Sequence, residues 1–207
     1  MTNTLHQSDL PAGLSFGDSV AVDCETMGLN HLRDRLCLIQ LSAGDGHCHL
    51  VQFPGPVAEL PYHAPRLAAL MSDPAVTKIF HFARFDIAAV QRYLGVDCGP
   101  VYCTKIASRL TRTFTDRHSL KDLCRDLLGV DISKQQQSSD WGAAKLTPEQ
   151  IDYAASDVLH LHAIRAKLDT MLAREGRTEL AAACFRFLPY RARLDLAGWP
   201  ADDIFAH

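Results

Sequence analysis

The chain has 207 residues, which is enough for one domain with a hydrophobic core and too few for two domains of ordinary size. Its formal net charge of −3 argues against a protein that coats long nucleic acid, because such binding needs many cationic contacts to phosphate. No apolar run of about 18 residues occurs and residues 1–10 lack the apolar core of a secretory signal, so we expect a cytoplasmic protein without membrane contact.

Strands are predicted first along the chain. Residues 20–25, 35–42 and 47–53 have the composition of strands, and the turn-forming segment Ala43-Gly44-Asp45-Gly46 joins the second to the third. These segments predict an antiparallel hairpin beside the first strand.

The rest of the chain alternates helices with short strands. The predicted elements are a helix at 65–72, a strand at 76–82, a helix at 84–94, a strand at 101–104 leading into a helix to Leu110, a helix at 120–128, a loop at 134–141, a helix from Pro148 to about Arg174, and a last helix at roughly 179–186. Thr147 is the predicted cap of the helix at Pro148, with Gln150 completing a capping box. This order indicates an α/β domain with a mixed sheet flanked by helices.

Four acidic residues and a tyrosine lie in or beside apolar segments. Asp23 and Glu25 are two apart in a strand, so both carboxylates point to one face. Asp86 begins a helix, and Tyr153 and Asp157 are four apart, on one face of another helix. Taken singly, these residues also fit a strand end on the surface, a helix N-terminal charge and a solvated helix face. Their ordered combination is what predicts a site.

Such carboxylates are costly to bury unless divalent cations compensate them, and Mg²⁺ or Mn²⁺ prefers hard oxygen ligands of this kind. Two ions about 3.5–4 Å apart can clamp the attacking and leaving oxygens of a phosphoryl transfer. Tyr153 would then orient, or help to deprotonate, the attacking water.

Three segments resemble the exonuclease motifs of the DEDD superfamily, tyrosine subtype. They are V-A-V-D-C-E-T-M-G-L (20–29), H-F-A-R-F-D (81–86) and D-Y-A-A-S-D (152–157). The resemblance implies a ribonuclease-H-like fold, two-metal catalysis and 3′→5′ polarity. By matching motifs, it assigns the metal ligands and the catalytic tyrosine to Asp23, Glu25, Asp86, Asp157 and Tyr153.

Within that superfamily, the chain is similar to ribonuclease D over roughly residues 15–175, for example in R-L-C-L-I-Q-L (35–41) and H-S-L-K-D-L (118–123). The residues after Asp157 leave no room for the helical domains that follow the catalytic domain of ribonuclease D. The segment 195–207 also resembles the single-domain group called nanoribonuclease C. The resemblance to that group implies removal of very short RNAs, especially diribonucleotides, and a homo-oligomer in the form of an octameric ring. We therefore expect one exonuclease domain over 1–207, with its core at about 15–175 and a helical tail at about 176–207.

Nine further residues are candidates for substrate contacts. Thr26 and Met27 would line the 3′ nucleotide, Leu29 is a candidate wedge between bases, and Phe85 is a candidate for base stacking. Core packing is the alternative for Leu29 and Phe85. His81 stands where many relatives carry asparagine, and would either alter the fit of the substrate or be an ordinary hydrogen-bonded residue at a strand end.

The candidates for a cationic cap on the 5′ phosphate lie in the locally basic stretch 104–134, whose alternative role is a set of solvated helix faces. They are Arg109, Arg112, His118 and Lys134.

The sequence is compatible with two rival functions. One is a broader 3′→5′ exonuclease that trims longer RNA or single-stranded DNA ends. The other is a catalytically inactive nucleic-acid-binding module, against which the five intact motif residues argue. A zinc site at His47-Cys48-His49 is not predicted, because the sequence places no further ligand nearby. The seven cysteines form no C-x-x-C pair and are expected to be reduced thiols.

Overall fold

The computed structural model describes residues 2–55, 59–133 and 135–206. Six strands of the described residues form one mixed sheet in the spatial order β1-β4-β3-β2-β5-β6. Their bounds are β1 Thr2–Gln7, β2 Ser19–Thr26, β3 Leu36–Ser42, β4 His47–Gln52, β5 Thr77–Phe80 and β6 Val101–Cys103. The mixed sheet confirms the predicted fold class.

The hairpin predicted from the turn at 43–46 is confirmed. Strands β3 and β4 pair antiparallel, with Leu41 opposite His49. Strand β3 also pairs antiparallel with β2, while β5 and β6 extend the sheet in parallel. Strand β2 is therefore an inner strand, and the residues at its end lie near the middle of the sheet.

Strand β1 was not predicted, because its sequence T-N-T-L-H-Q is polar and lacks an apolar alternation. It forms at the sheet edge by pairing in parallel with β4. Asn3 Nδ2 also donates a hydrogen bond to Asp152 Oδ1 at 2.8 Å. This bond connects the edge strand to the helix that carries Tyr153.

The helices flank this sheet. Their bounds are α1 Pro65–Ser72, α2 Arg84–Leu94, α3 Thr104–Thr111, α4 Leu120–Leu123, which continues as a π-helical turn at Cys124–Leu128, α5 Pro148–Leu159, α6 Leu161–Arg174 and α7 Thr178–Leu196. No helix among the described residues has both the length and the apolar character that crossing a membrane requires.

Two helix predictions were wrong. The single helix from Pro148 to Arg174 is interrupted at His160, which ends α5 and precedes α6. The last helix does not stop near residue 186 but continues to Leu196, although it contains Pro189. It continues because it packs against α2 and β6 and buries Phe185 and Leu188 there.

The predicted capping box of α5 is confirmed. The Thr147 side chain accepts from Gln150 N, and Gln150 Oε1 accepts from Thr147 N. Gln150 Nε2 also donates to Asp140 O. The start of α5 is thus fixed both to its own first turn and to the preceding loop. These bonds set the direction of the helix face that carries Tyr153 and Asp157.

A buried lysine connects the start of β5 to the two loops beside it. Lys78 is fully buried, and its Nζ donates to three backbone carbonyls, Asp73 O at 2.6 Å, Val76 O at 2.8 Å and Gly99 O at 2.7 Å. The ammonium therefore satisfies carbonyls from two loops that meet beneath the strand.

We expect Lys78→Met to lower the free energy of unfolding by about 3 kcal/mol, because the change leaves buried carbonyls without a donor. Urea denaturation measures the loss. The matched control is Lys167→Met on the exposed side of α6, which should have little effect. Equal losses in the two variants would contradict the role assigned to Lys78.

Candidate active site

Three carboxylates converge where β2 meets α5. Asp23, Glu25 and Asp157 each offer an oxygen, and these oxygens all lie within 4.8 Å of one another. Asp23 and Glu25 reach this point because alternate residues of β2 share one face of the strand. Asp157 reaches it because α5 packs across β2, β3 and β4.

Burial and mutual repulsion favour the protonated form of these carboxyl groups when no cation is bound. Burial raises the pKa of Asp23 well above its ordinary value, and the charges of Asp86, Asp157 and Glu25 raise it further. Burial, followed by the charges of Asp157 and Asp86, raises the pKa of Glu25 to about 9. Only the Gln40 amide offsets the effect at Asp23, by donating to its Oδ2 at 3.2 Å.

Asp86 lies beside this group rather than within it. It is 3% exposed, and it accepts hydrogen bonds from the Cys24 backbone and from the Cys24 thiol. Burial raises its pKa to about 8, although these hydrogen bonds act in the opposite direction. Asp86 is therefore electrostatically coupled to the three carboxylates, and its assignment as a metal ligand stays a prediction.

Tyr153 is placed to act as a hydrogen-bond donor. Its hydroxyl bonds to Asp157, and burial followed by the charges of Asp157, Glu25 and Asp23 raises its pKa far above the ordinary range. In the absence of a cation the phenol is thus fully protonated at neutral pH. The ring lies 6.0 Å from that of Trp141, which flanks it.

The donor set fits a divalent cation. Oxygen atoms from three carboxylates are ligands that Mg²⁺ and Mn²⁺ prefer, and a positive charge there would relieve the repulsion that raises the carboxylate pKa values. The carboxylates line a cavity of about 300 Å³ that also contains Tyr153 and His81. We call it the carboxylate cavity.

Among the other residues that line the carboxylate cavity, two cations and an aromatic ring were not predicted as site residues from the sequence. They are Lys105, Lys121 and Phe82. The signal for the two lysines was present, since Lys121 belongs to H-S-L-K-D-L and Lys105 to the basic stretch. Phe82 lies in the same motif as Phe85, H-F-A-R-F-D, and the sequence does not show which of the two rings faces the cavity.

The predicted contacts to the 3′ nucleotide and to the bases do not line the carboxylate cavity, although Leu29 and Phe85 line a neighbouring one. Leu29 is 86% exposed, so the alternative of core packing is wrong for it. Met27 is 53% exposed, while the Thr26 hydroxyl donates to Gly28 O. Phe85 is half-buried against His31, with ring centroids 4.3 Å apart.

His81 is hydrogen-bonded to the first residue of α3. Its Nδ1 lies 2.9 Å from Thr104 Oγ1, and that hydroxyl donates to Phe80 O. Because the hydroxyl proton is engaged, Nδ1 carries the imidazole proton. The hydrogen bond fixes the ring at the edge of the carboxylate cavity.

The predicted cap residues are not gathered around the carboxylates. Arg112 is buried, is paired with Asp126 at 2.5 Å, donates to Arg117 O and does not line the carboxylate cavity, so its assignment to the cap stays a prediction. His118 Nδ1 lies 2.8 Å from Ser108 Oγ, away from the lining of that cavity. Arg109 is exposed and lines a neighbouring cavity. Lys134 lies outside the described residues.

Residues 6–173 match the family of 3′-5′ exonuclease domains, and the chain belongs to that family. The chain is 35% identical over 164 residues to ribonuclease D of Gluconacetobacter diazotrophicus, a match that covers 79% of this chain and 40% of that protein. It therefore spans well under half the length of this relative.

Solved structures of NrnC from Brucella melitensis are similar over the whole chain. NrnC bound to pGG is 52% identical with a TM-score of 0.94, and the match covers 100% of this chain and 99% of that one. NrnC with bound Mg²⁺ is 51% identical with a TM-score of 0.94, and both chains are covered fully. These similarities confirm the predicted exonuclease fold and the predicted resemblance to the single-domain group.

The raised carboxylate pKa values predict how the metal-free protein responds to pH. Glu25 takes up a proton near pH 9 in the folded state but near its ordinary value of 4.5 when unfolded. Between these values the folded state binds more protons than the unfolded chain, so the free energy of unfolding falls as pH rises.

We expect the Tm in EDTA to fall by about 5 °C or more across that window, and excess MgCl₂ to abolish most of the fall. Glu25→Gln should flatten the profile in EDTA, whereas Asp131→Asn, at an exposed loop position, should leave it unchanged. Thermal melts from pH 5 to pH 9 test this. A metal-free Tm that rises with pH would refute the electrostatic description of the site.

Proposed function

We propose that the protein is a divalent-metal-dependent 3′→5′ exoribonuclease that hydrolyses very short RNAs, especially diribonucleotides, to 5′-mononucleotides. The observation that carries the proposal is the group of three converging carboxylates with Tyr153 bonded to one of them. Family membership supports the reaction class, and the carboxylate cavity would hold the scissile phosphate.

The roles of the residues follow from their positions. Asp23, Glu25, Asp157 and the adjacent Asp86 would hold two Mg²⁺ or Mn²⁺ ions, which when bound stabilise charge on the attacking and leaving oxygens. Tyr153, whose hydroxyl bonds to Asp157, would orient the attacking water or help to deprotonate it. The product leaves with its phosphate on the 5′ oxygen.

In the proposed complex, two lysines bind the phosphates of the substrate, in addition to any contact from the cap residues expected from the sequence. Lys105 and Lys121 both line the carboxylate cavity. Two ammonium groups that line the same cavity would attract a phosphodiester and would lower the repulsion between it and the carboxylates. They hold one or two phosphates, and this number suits a short substrate better than a long one.

Four observations favour short RNA. The carboxylate cavity has only about 300 Å³, and the net charge of −3 offers no track for a long polyanion. The side chain of Leu29 is 86% exposed and would act as a wedge between two bases. The similar NrnC of Brucella melitensis was solved with pGG bound, and pGG is a dinucleotide.

A ring-shaped homo-oligomer, octameric and cytoplasmic, is also part of the proposal. The C-terminal part of the chain exposes large apolar side chains that an interface would cover, namely Phe187, Trp199, Ile204 and Phe205. Light scattering should give a mass several times 22.9 kDa. A monomer at micromolar concentration would exclude the ring.

The decisive experiment is a length series. We expect 5′-labelled RNAs of about two to seven nucleotides to be cleaved in Mg²⁺, with the highest initial rate for the dinucleotide, and no cleavage in EDTA. Asp23→Asn should be inactive at every length, whereas the exposed-position control Asp131→Asn should match the wild type.

The rival functions give different results in the same series. Rates that are equal or rise with length would indicate a general exonuclease that trims longer RNA or single-stranded DNA. Binding without cleavage at any length would indicate an inactive nucleic-acid-binding module.

Tyr153→Phe should separate catalysis from metal binding. Removing the hydroxyl leaves the carboxylates in place, so we expect kcat to fall by about 10²–10³-fold while Mn²⁺ binding is retained. Tyr190→Phe, at an exposed position of α7, is the matched control. A kcat within about threefold of the wild type would remove Tyr153 from the mechanism.

A further inference from the structure

Three histidines lie side by side on one face of the sheet. His47 and His49 are two residues apart in β4, so both rings are on the same face of that strand. His6 belongs to β1, which pairs in parallel with β4, and its ring lies beside that of His49. The ring centroids are 5.3 Å apart for His6 and His49, and 5.8 Å apart for His47 and His49. We call the three residues the histidine row.

The histidine row is on the sheet face opposite to the carboxylate cavity. Gln40 of β3 donates to Asp23, so its side chain is on the carboxylate face, and its partner in β4 is Leu50. Because successive residues of a strand point to opposite faces, His49 points away from the carboxylate face. The sheet therefore separates the histidine row from the metal ligands predicted for catalysis.

The closest atoms of the histidine row have nearly the separation of two ligands on one metal ion. His6 Nε2 lies 3.1 Å from His49 Nδ1. Two imidazole nitrogens bound to one Zn²⁺ at about 2.0–2.1 Å each, with a tetrahedral angle between them, are about 3.3 Å apart. The observed distance also fits a hydrogen bond between the two rings. When an ion binds, the shared proton moves to the other nitrogen of its own ring, so both facing nitrogens become ligands.

The surroundings favour the neutral form of these imidazoles, which is the form that binds metal ions. Burial lowers the pKa of His6. Burial, followed by the charges of His6 and His47, lowers the pKa of His49, although Asp45 acts in the opposite direction. The buried Phe16 ring lies edge-on to His49 at 5.7 Å and covers one side of the row.

The fold supplies the ligand that the segment His47-Cys48-His49 lacks by itself. His6 reaches His49 only because β1 pairs with β4. Cys48 is buried and points to the opposite face, so its thiol is not part of the ligand set. His47 is exposed, so its ring can turn toward an ion held by the other two histidines without disturbing the core. Imidazole ligands suit Zn²⁺, Ni²⁺ and Cu²⁺, whereas Mg²⁺ prefers oxygen.

We propose that the histidine row is a binding site for one transition-metal ion of the Zn²⁺ class, with His6 Nε2 and His49 Nδ1 as ligands. His47 is the third ligand, and water completes the coordination. A bound ion joins the edge strand β1 to β4 through side chains, in addition to the backbone pairing of the two strands. Its role is structural and independent of the proposed catalytic reaction.

Isothermal titration with ZnCl₂ in excess MgCl₂ measures binding to this site in the intact chain. Because the carboxylate cavity is the same in wild type and in histidine variants, the difference between them reports the histidine row. We expect His6→Gln and His49→Gln each to weaken the binding of one Zn²⁺ per chain by at least about tenfold. His63→Gln, at an exposed position outside the row, is the matched control and should bind Zn²⁺ as the wild type does.

A crystal grown with ZnCl₂ provides the second measurement. An anomalous difference map at the zinc absorption edge should show a peak about 2.0–2.1 Å from both His6 Nε2 and His49 Nδ1. This position distinguishes a ligand role from a merely structural one, because a hydrogen bond between the rings leaves no room for an ion there. His6→Gln lies in the edge strand and is the milder change, so it decides the matter if His49→Gln does not fold by circular dichroism.

Equal Zn²⁺ affinity in wild type and folded variants, or a zinc peak away from the two nitrogens, overturns the proposed site. A wild-type protein that cleaves no RNA in Mg²⁺ overturns the proposed function instead and leaves the titration with Zn²⁺ unaffected.

Discussion

Repulsion among buried carboxylates is the constraint on which the rest of this structure depends. Asp23, Glu25 and Asp157 are brought within 4.8 Å by an inner strand and a capped helix, and Asp86 adds a fourth charge beside them. Such an arrangement opposes folding in the metal-free chain, so the surrounding elements must supply the compensating stability. The fully buried strand β3, the capping box of α5 and the three hydrogen bonds of Lys78 all contribute to that compensation.

The parts of the structure that depend on near neighbours in sequence could be predicted. The hairpin follows from the turn at 43–46, and the start of α5 follows from Thr147 and Gln150. The shared face of Asp23 and Glu25 and that of Tyr153 and Asp157 could be predicted, because spacings of two in a strand and four in a helix place side chains on one face. Motif resemblance then linked segments that local patterns could not join.

The parts that depend on distant partners could not be predicted. Strand β1 has no apolar pattern of its own and forms by pairing with β4, and α7 runs on to Leu196 because it packs against α2. Arg112 belongs to a basic stretch, but only the fold shows that Asp126 holds it inside. Conversely, Lys105 and Phe82 gain their positions from the meeting of β5, α2 and α3, which no local pattern reports.

The edge strand β1 has a practical consequence for anyone who handles this protein. Asn3 bonds to Asp152, the neighbour of Tyr153, while residues 195–200 are fixed to the start of α2. Peptide fusions attached close to residue 2 or residue 206 would therefore disturb the contacts that position α5 and α2, which carry Tyr153 and Asp86. Affinity tags at these positions should be treated as perturbations of the candidate site, joined through long flexible linkers and removed by proteolysis before variants are compared.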